Sequence, residues 1–382
     1  MTRYKLGEIC EIVSGSTPKT GIEEYWDGDV KWITPAEIDD DSYIITDSVR
    51  KITELGVKKT GLSPLPEGTV ILSSRAPIGK VSIAGCEMYC NQGFKNLICS
   101  DIINNRYLYW FLKGNTAYLN SLGRGATFKE ISKQIVSAIE INVPTLAEQK
   151  AVVSQLEKVN EIIRMRRQEL QKLDELVKAR FFEMFGDTIL NPFGWKKDLL
   201  GTVCDVRDGT HDSPQYFESG YPLVTSKNVT GGKIDLTDCS LICEADFKKI
   251  NERSKVDIGD IIMPMIGTVG KPVIVDIEPN FAIKNVSLIK LKADSRVLNI
   301  YIRALLQSDY FDDAVLSKVR GGTQKFISLG DIRKLEVLVP PMELQEQFAT
   351  FIKQTDKSKV AVQKALDEAQ LLFDSLMQKY FG

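Results

Sequence analysis

The chain contains Gly125-Ala126-Thr127-Phe128-Lys129-Glu130-Ile131-Ser132, and further on it contains Gly321-Gly322-Thr323-Gln324-Lys325-Phe326-Ile327-Ser328. Gly, Thr, Lys, Ile and Ser recur at matching places in the two stretches, 196 residues apart. Val143-Pro144 returns as Val339-Pro340 at the same spacing, and the chain ends in a second Phe-Gly pair like that at 185–186. This period is far longer than the roughly 20–50 residues of solenoid repeats. The sequence therefore predicts two copies of one module.

The spacing between the copies drifts upstream of these stretches. It is 191 residues between Ile78-Gly79-Lys80 and Val269-Gly270-Lys271, and 189 between Lys95-Asn96 and Lys284-Asn285. Small insertions would produce such a drift. The copies differ most over 15–60 and 208–250, so we expect one scaffold that carries two different surfaces.

Length and composition agree with a two-domain globular protein. The chain has 382 residues, which exceeds the roughly 250–300 at which single cores stop growing. It is 43% hydrophobic and 26% charged, as globular proteins usually are. No apolar run follows Met1, and no stretch approaches the roughly 18 apolar residues of a membrane helix. We therefore expect a cytoplasmic protein without a membrane partner.

Each module shows strand and turn signals and one short helix. Val70-Ile71-Leu72, Val81-Ser82-Ile83-Ala84 and 139–143 have strand character, and 106–112 has helix character. The second copy repeats this order, with a helix at 301–306. The predicted fold class is α+β, with globular modules at 1–145 and 188–340.

Heptads dominate the segment after each module, over 149–185 and 345–380. Apolar residues recur at the a and d positions, interrupted by Arg166 and Arg180 in the first segment and by Thr355 and Lys359 in the second. The repeating positions are Val152, Leu156, Val159, Ile163, Leu170, Leu173, Val177 and Met184, then Phe348, Ile352, Val362, Leu366, Ala369, Phe373, Leu376 and Tyr380. Sustained heptads indicate a coiled coil. We expect spacer helices at 146–187 and 341–382 to pair with each other rather than to lie singly on their own modules.

The expected pairing is antiparallel. Each helix follows its own module, so antiparallel helices would relate the two modules by a pseudo-twofold axis. Paired DNA-binding modules on such an axis contact two separated half-sites.

The sequence shows no convincing catalytic, metal or cofactor site. The turn Asn191-Pro192-Phe193-Gly194-Trp195 lacks the second proline of the Asn-Pro-Pro-aromatic motif found in base-flipping amino-methyltransferases. Gly267-Thr268-Val269-Gly270-Lys271-Pro272 has the wrong spacing for a phosphate-binding loop. His211 has no nucleophile motif to pair with. The cysteine pairs Cys86/Cys90 and Cys239/Cys243 do not have zinc-site spacing, so buried reduced thiols are expected.

The overall charge argues against strong autonomous DNA binding. Forty-nine basic and 51 acidic residues give a net charge of −2, whereas autonomous DNA-binding proteins usually carry a basic footprint. Local basic pairs such as Lys58-Lys59 and Lys248-Lys249 remain. The balance fits weak intrinsic binding that a partner completes.

The variable stretches resemble a known family. Ser14-Gly15-Ser16-Thr17-Pro18 with 24–34, and Asp208-Gly209-Thr210-His211-Asp212-Ser213-Pro214 with 221–229, resemble the openings of target recognition domains in the specificity (S) subunit of type I restriction-modification systems. The resemblance spans the whole chain and lies in the order of the pieces more than in any one motif.

The helix entries carry the same resemblance. Val143-Pro144 with Glu148-Gln149, and Val339-Pro340-Pro341 with Glu346-Gln347, resemble the family's entries into its spacer helices. The second Glu-Gln lies two residues further from its Val-Pro than the first, so this pattern does not fix the start of the C-terminal helix.

The resemblance implies a division of labour. Each domain would recognise one half of a split site in double-stranded DNA, and the helix pair would set the spacing. The helices would also dock two methyltransferase (M) subunits, with restriction (R) subunits joining the complex. S-adenosylmethionine and ATP chemistry would belong to those partners, so this chain would be a non-catalytic subunit that needs no cofactor.

Candidate DNA-contacting residues follow from residue type and position. Polar side chains in variable loops can reach base edges or phosphates, whereas the Gly-Thr segments shared by both modules favour a common structure or phosphate contact. The variable-loop candidates are Lys19, Lys31, Thr34, Arg75, Thr210, His211, Lys227 and Asn228, and the shared-segment candidates are Arg124, Thr127, Lys129, Arg320, Thr323 and Lys325.

Two other functions are compatible with the sequence. The same chain could serve a methylation-only complex that has no restriction subunit. It could also be a coiled-coil scaffold with two globular heads and no DNA function.

Overall fold

The computed structural model describes residues 2–39, 42–75, 77–125, 129–266, 270–314 and 326–382. The chain forms two compact units. Unit 1 comprises Met1–Arg167 and Lys364–Gly382, and unit 2 comprises Gln168–Gln363. Each unit therefore contains one globular module together with part of each long helix.

The first module consists of short strands and helices. Its strands are β1 (Thr2–Lys5), β2 (Cys10–Ser14), β3 (Trp26–Ile33), β4 (Ile44–Ile45), β5 (Lys51–Ile52), β6 (Val70–Leu72), β7 (Val81–Ala84), β8 (Tyr89–Cys90), β9 (Lys95–Cys99) and β10 (Glu140–Val143). Its helices are α1 (Leu6–Ile9), α2 (Glu54–Thr60), α3 (Asn105–Gly114), α4 (Thr116–Ser121) and α5 (Lys133–Ser137), and short 3₁₀ helices span Glu23–Tyr25 and Pro35–Glu37. The long helix α6 (Leu146–Phe185) follows.

The second module repeats this composition. Its strands are β11 (Lys196–Leu199), β12 (Cys204–Asp208), β13 (Tyr221–Val224), β14 (Val229–Thr230), β15 (Lys233–Ile234), β16 (Ser240–Ile242), β17 (Ile261–Pro264), β18 (Val273–Ile274), β19 (Ala282–Ile283), β20 (Val286–Leu291) and β21 (Glu336–Val339). Its helices are α7 (Leu200–Val203), α8 (Glu244–Ser254), α9 (Asn299–Leu306), α10 (Asp309–Ala314) and α11 (Leu329–Arg333), with a 3₁₀ helix at Ser226–Asn228. The long helix α12 (Met342–Phe381) ends the chain.

Sheet topology confirms that the two modules share one fold. Strand order β2-β9-β6-β7-β4 in the first module matches β12-β20-β17-β18 in the second. The sheet β5-β3-β8 matches β16-β13-β19, and the pair β1-β10 matches β11-β21. The central strands β6 and β7 are buried along their whole length, which agrees with their mainly apolar sequences, and the buried Ser82 of β7 donates to the Tyr43 carbonyl oxygen. The prediction of an α+β protein with two similar domains is confirmed.

Strand register corrects one part of the sequence alignment. Ser14 pairs with Lys95 in the first module, and Asp208 pairs with Ser287 in the second. Lys95 therefore corresponds to Ser287 and not to Lys284, so the predicted match of the two Lys-Asn pairs is wrong by three residues. Identity of two polar residues misled the alignment because the register is set by the apolar positions of the strands.

The long helices begin at equivalent residues, on a buried glutamine. The Gln149 side chain is fully buried, and its Nε2 donates to the carbonyl oxygens of Ile102 and Pro144 at 3.0 and 2.9 Å. Its Oε1 accepts from the Asn104 backbone nitrogen at 2.7 Å. One amide thus joins the first turn of α6, the end of β10 and the loop that precedes α3.

Gln345 repeats this arrangement in the second module. Its Nε2 donates to the carbonyl oxygens of Arg296 and Pro340, each at 2.9 Å, and its Oε1 accepts from the Leu298 nitrogen at 2.8 Å. Gln345, and not Gln347 of the Glu-Gln pair, is therefore the counterpart of Gln149. The buried amide thus marks the start of the C-terminal helix, which the Glu-Gln pairs left open. Glu148, which accepts from the Thr145 nitrogen at 2.9 Å, has Leu344 and not Glu346 at the equivalent place.

The long helices pair with each other, as the heptads predicted, and they are antiparallel, as the order of modules and helices led us to expect. Within unit 1 the Tyr380 hydroxyl donates to Gln155 Oε1 at 2.8 Å. Within unit 2 the Lys359 ammonium donates to Asp174 Oδ1 at 2.6 Å. Contacts therefore move to lower numbers in α12 as they move to higher numbers in α6. The second contact also explains why a lysine interrupts the heptad at Lys359, since its charge is paired with the partner helix.

Aromatic residues at the helix ends fix the helices to the modules. Within unit 2 the rings of Phe185 and Tyr301 meet edge to face, 4.8 Å apart, and within unit 1 Phe381 meets Tyr107 in the same way at 5.1 Å. The Tyr107 hydroxyl donates to the Asn142 carbonyl oxygen at 3.1 Å, and burial raises the pKa of Tyr107 to about 12. Each tyrosine therefore links a helix end to the core of its module.

Among the described residues, no helix is long and apolar enough to cross a membrane.

Replacing Gln149 with Leu should destabilise unit 1. The change leaves two carbonyl groups and one N–H buried without partners, and each such loss costs about 1–3 kcal/mol. We expect the free energy of unfolding to fall by about 3 kcal/mol or more, measured by urea denaturation. Gln171→Leu is the matched control, because Gln171 is exposed on the same helix. A loss in Gln149→Leu no larger than in this control would contradict the assigned role.

Candidate nucleic-acid interface

Two buried indoles hold the polar loop that follows β2 in the first module. Trp32 Nε1 donates to the Ser16 carbonyl oxygen at 3.0 Å, and Trp26 Nε1 donates to the Lys19 carbonyl oxygen at 3.3 Å. The two rings meet edge to face, 5.2 Å apart. The loop is therefore fixed through its backbone, while the Lys19 side chain is exposed to solvent.

Lys31 is only half-buried, on strand β3 of the same module. Its ammonium lies 3.1 Å from Cys86 Sγ, and its strand partner is Lys51. The side chain therefore lies over the sheet rather than in a free loop. It remains partly accessible to solvent.

Thr34 and Asn228, two of the candidate DNA contacts, are used inside the modules. The Thr34 hydroxyl and backbone nitrogen donate to Glu37 Oε1 at 3.0 and 2.8 Å, which caps the following 3₁₀ helix. The second module repeats this cap, because Thr225 donates twice to Asn228 Oδ1 at 2.9 and 3.0 Å. Asn228 is also buried. The side chains that sequence reasoning assigned to DNA thus shape the loop.

An exposed cation lies within the second of these capped turns. Lys227 lies on the surface of the second module, one residue before the buried Asn228. Within the part of the chain that the structure describes, its ammonium has no ion-pair partner. The 3₁₀ helix therefore presents a free positive charge from a rigid turn.

His211 lies in a hydrogen-bonded network at the end of β12. Its Nδ1 is 2.8 Å from Asn285 Oδ1, and its Nε2 is 2.9 Å from Asp208 Oδ2. Asp208 is buried and also forms an ion pair with Arg253. Both ring nitrogens therefore have oxygen partners, which fixes the ring while its edge stays exposed.

Thr210 belongs to the same turn as His211. Its backbone nitrogen donates to the Ile283 carbonyl oxygen at 3.0 Å, and its carbonyl oxygen accepts from the Asn285 backbone nitrogen at 3.2 Å. Its hydroxyl accepts from the Asp212 nitrogen at 3.1 Å. Thr210 therefore anchors the loop that carries His211.

A charged cluster surrounds Glu130, in the part of the first Gly-Thr segment that the structure describes. Glu130 forms ion pairs with Lys95 at 3.1 Å and with Arg75 at 3.8 Å. The Lys95 side chain is 10% exposed, so Glu130 neutralises an almost buried ammonium. Arg124 exchanges both backbone hydrogen bonds with Glu130, at 3.0 and 2.9 Å. The structure therefore brings Arg75 and Arg124 together at Glu130. The side chains of Arg124 and of the nearby Lys129 are exposed.

The second module has the same backbone arrangement with apolar side chains. Arg75 bridges to Glu130 in the first module, and Ile266 bridges to Phe326 at the equivalent place in the second. Ile131 donates to the Ser74 carbonyl oxygen, as Ile327 does to that of Met265, each at 3.0 Å. One frame thus supports charge in one module and apolar surface in the other. The candidates Thr127, Arg320, Thr323 and Lys325 lie outside the described residues.

Sequence reasoning missed several residues of these networks. The missed residues are Lys95, Glu130, Asp208, Arg253 and Asn285. Glu130 and Asp208 lie inside the stretches that drew attention to the sites, so their acidic charge beside basic candidates was an available signal. Arg253 lies 45 residues from its partner Asp208, and no sequence pattern marks that contact.

The sequence motifs that resembled catalytic sites have structural roles where the structure describes them. Asn191 has a positive φ of 47°, and its side-chain oxygen accepts from the Trp195 nitrogen at 2.9 Å, which closes a turn. Cys90 and Cys204 are buried, and burial raises the pKa of each thiol to about 12. Such thiols are neutral at physiological pH.

Comparison with known proteins gives a consistent family. The family of the type I restriction modification DNA specificity domain matches residues 1–175 and again 192–369. The type I restriction enzyme MjaIX specificity subunit of Methanocaldococcus jannaschii is 30% identical, over 98% of this chain and 91% of that protein. The EcoBI specificity subunit of Escherichia coli is 21% identical, over 83% of this chain and 75% of that protein.

Solved structures show the same fold. The S subunit of a type I restriction-modification system from M. genitalium covers all of this chain and 96% of its own, with 16% identity and a TM-score of 0.57. A chain from a structure of type I complex assembly and conformational transition covers all of this chain and 97% of its own, with 20% identity and a TM-score of 0.60.

The duplicated module and the antiparallel helices define a protein of the type I DNA-specificity class, and this chain belongs to that family. It is the specificity subunit of a type I restriction-modification system, the non-catalytic component that recognises DNA. A coiled-coil scaffold without a DNA function is thereby ruled out.

Replacing Glu130 with Gln should destabilise the first module, because Lys95 and Arg75 lose their counter-charge. Removing one partner of a buried pair costs 3–5 kcal/mol, and Glu130 is 38% exposed, so solvent screening should reduce the loss to about 1–2 kcal/mol. Urea denaturation measures it. Glu11→Gln, an exposed change on β2, is the control. Adding Lys95→Met should recover part of the loss, and no recovery would show that the charge on Lys95 is not the cause.

Proposed function

We propose that this chain recognises a bipartite site in double-stranded DNA, one half through residues 1–145 and the other through 188–340. Segments 146–187 and 341–382 would form the spacer that sets the distance between the half-sites. Two M subunits would dock on the complex, and R subunits would join them for cleavage. The chain would act in the cytoplasm, where it meets chromosomal DNA.

The main support for this proposal is that the two modules share one backbone fold but carry different loops. Gln149 and Gln345 make the same three hydrogen bonds, and Thr34 and Thr225 make the same cap. The loops on this frame differ, as Glu130 and Phe326 illustrate. A constant frame with variable loops suits two modules that bind different base sequences in one geometry.

We infer three roles for the candidate residues. Exposed Lys19, Lys227 and the fixed edge of His211 would contact DNA, while Thr34, Asn228 and Thr210 would shape the loops that carry them. Lys31 and Arg75, held at the edges of their clusters, would add positive potential. The shared segments would contact phosphates, since they recur in both modules. Their candidates are Arg124, Thr127, Lys129, Arg320, Thr323 and Lys325.

The charge balance supports a need for partners. Phosphate neutralisation by Lys and Arg supplies most non-specific DNA affinity, and the net charge of this chain is −2. Several arginines are also neutralised internally, such as Arg207 by Asp205 at 2.6 Å and Arg296 by Asp198 at 2.8 Å. M subunits that enclose DNA would provide the missing attraction.

Exchanging residues 1–140 for the matching module of a relative should change one half of the methylated motif and leave the other half and the gap unchanged. The measurement is methylome sequencing of cells that contain the exchanged chain and its M partner. The wild-type chain with the same partner is the control, and purified chain alone should neither methylate DNA nor bind S-adenosylmethionine. A change in both halves would contradict independent recognition by the two modules.

Lengthening the helix pair should lengthen the gap between half-sites. Seven residues inserted after Leu170 and seven after Leu366 preserve the heptad positions and add roughly 10 Å, or about three base pairs at ~3.4 Å each. We expect a longer gap with unchanged half-sites, or loss of binding where the added rotation prevents both modules from engaging. The same methylome assay measures it. Unchanged methylation with an unchanged gap would exclude the helix pair as the spacer.

A further inference from the structure

An arginine that no motif marks is stacked on the tryptophan pair of the first module. The Arg50 guanidinium lies 3.9 Å from the centroid of the Trp26 ring and 5.9 Å from that of Trp32. Both indoles are almost fully buried, whereas Arg50 is exposed. A guanidinium over an indole face gains about 0.5–1 kcal/mol at exposed sites and more when desolvated. The ring therefore holds this cation in place on the surface.

The backbone around Arg50 is fixed as well. The Ser48 hydroxyl donates to the Arg50 carbonyl oxygen at 2.7 Å and accepts from the Trp32 backbone nitrogen at 3.0 Å. Arg50 directly precedes β5, whose Ile52 pairs with Trp26. The backbone of Arg50 and its guanidinium group are therefore both positioned before any ligand binds.

The donors of Arg50 remain free. A guanidinium carries five N–H donors and no acceptor, and no carboxylate among the described residues forms an ion pair with Arg50. Nearby Lys51, by contrast, pairs with Asp47 at 3.5 Å. A fixed cation whose donors have no protein partner is suited to an external acceptor, since little side-chain freedom is left to lose on binding.

The location of Arg50 links it to the DNA-facing loop. The Trp26 ring that supports Arg50 also donates to the carbonyl oxygen of Lys19, a candidate DNA contact. Arg50 further belongs to 15–60, where the two modules diverge most. In the second module Leu223 pairs with Ser240, and this register places a serine where the first module has the arginine.

We propose that Arg50 is a preorganised DNA-contacting residue of the first module, supported by Trp26, at the half-site that this module binds. This inference rests on the proposed function. The ligand is a pair of acceptor atoms on DNA that the guanidinium binds with two parallel N–H groups. Guanine O6 and N7 form such a pair in the major groove, and phosphate oxygens form the other.

The test compares complexes of the M subunit with wild-type chain, Arg50→Ala and Arg50→Met. Methionine keeps apolar packing on Trp26 but lacks the guanidinium. Binding to the wild-type site is measured over a range of salt concentrations, together with the methylome and thermal stability. Arg3→Ala is the control, because it removes an exposed cation of the same module that already pairs with Glu140.

We expect Arg50→Met to keep wild-type stability and to lose about 5- to 150-fold in affinity for the cognate site. A guanine contact would also relax the motif at one base pair of one half-site. A phosphate contact would instead weaken all sequences alike and lower the salt slope by about one. Either result supports the proposal, and Arg3→Ala should show neither.

The proposal fails if Arg50→Met is folded and retains wild-type affinity, salt slope and motif. That result would leave the proposed function intact, because the wild-type complex would still methylate its bipartite site. The proposed function itself fails separately, if the wild-type complex methylates no bipartite site.

Discussion

The buried amide at the start of each long helix is the contact on which the arrangement of each unit depends. Gln149 connects the first turn of α6 with the end of strand β10 and the loop before α3 through three hydrogen bonds of 2.7–3.0 Å. Its partners are backbone groups of Ile102, Asn104 and Pro144, and burial makes such groups costly to leave unpaired. The glutamine therefore fixes where the helix begins and how it leaves the module, and Gln345 does the same in the second copy.

Buried heptad residues hold the two helices together beyond their first turns. Leu156 and Ile163 are buried within unit 1, and Phe348 and Ile352 within unit 2, at the heptad positions. Charged residues interrupt the heptads, and Lys359 is paired across the helices. A charge at a core position specifies register at some cost in stability. These interruptions are therefore consistent with a pair selected for one alignment rather than for maximal strength.

The repeat, the long helices and the short central strands could be predicted from sequence, because they depend on local periodicity. The helix 106–112 lies inside α3, and the strand 70–72 has the predicted bounds. Prediction failed where tertiary contacts select among similar residues. Gln345 and Gln347 differ little in sequence, but only Gln345 reaches the buried acceptors. Lys284 was aligned with Lys95 on identity alone, although the strand pairing makes Ser287 the residue equivalent to Lys95 in the second module.

The candidate site was less predictable than the fold, because residue type does not show which polar atoms are already satisfied. Thr34, Asn228 and Lys227 all looked like groove-facing residues, yet two of them close caps. Of the three, only the lysine has no partner among the residues that the structure describes. Arg50 was overlooked because nothing near it in the sequence marks it. The Trp26 ring that supports it lies 24 positions earlier in the chain. A DNA interface on a chain of net charge −2 depends on the few cations that internal acids leave unpaired. Identifying those cations requires the contacts as well as the sequence, and it is their placement, rather than total charge, that allows the two modules to differ in what they bind.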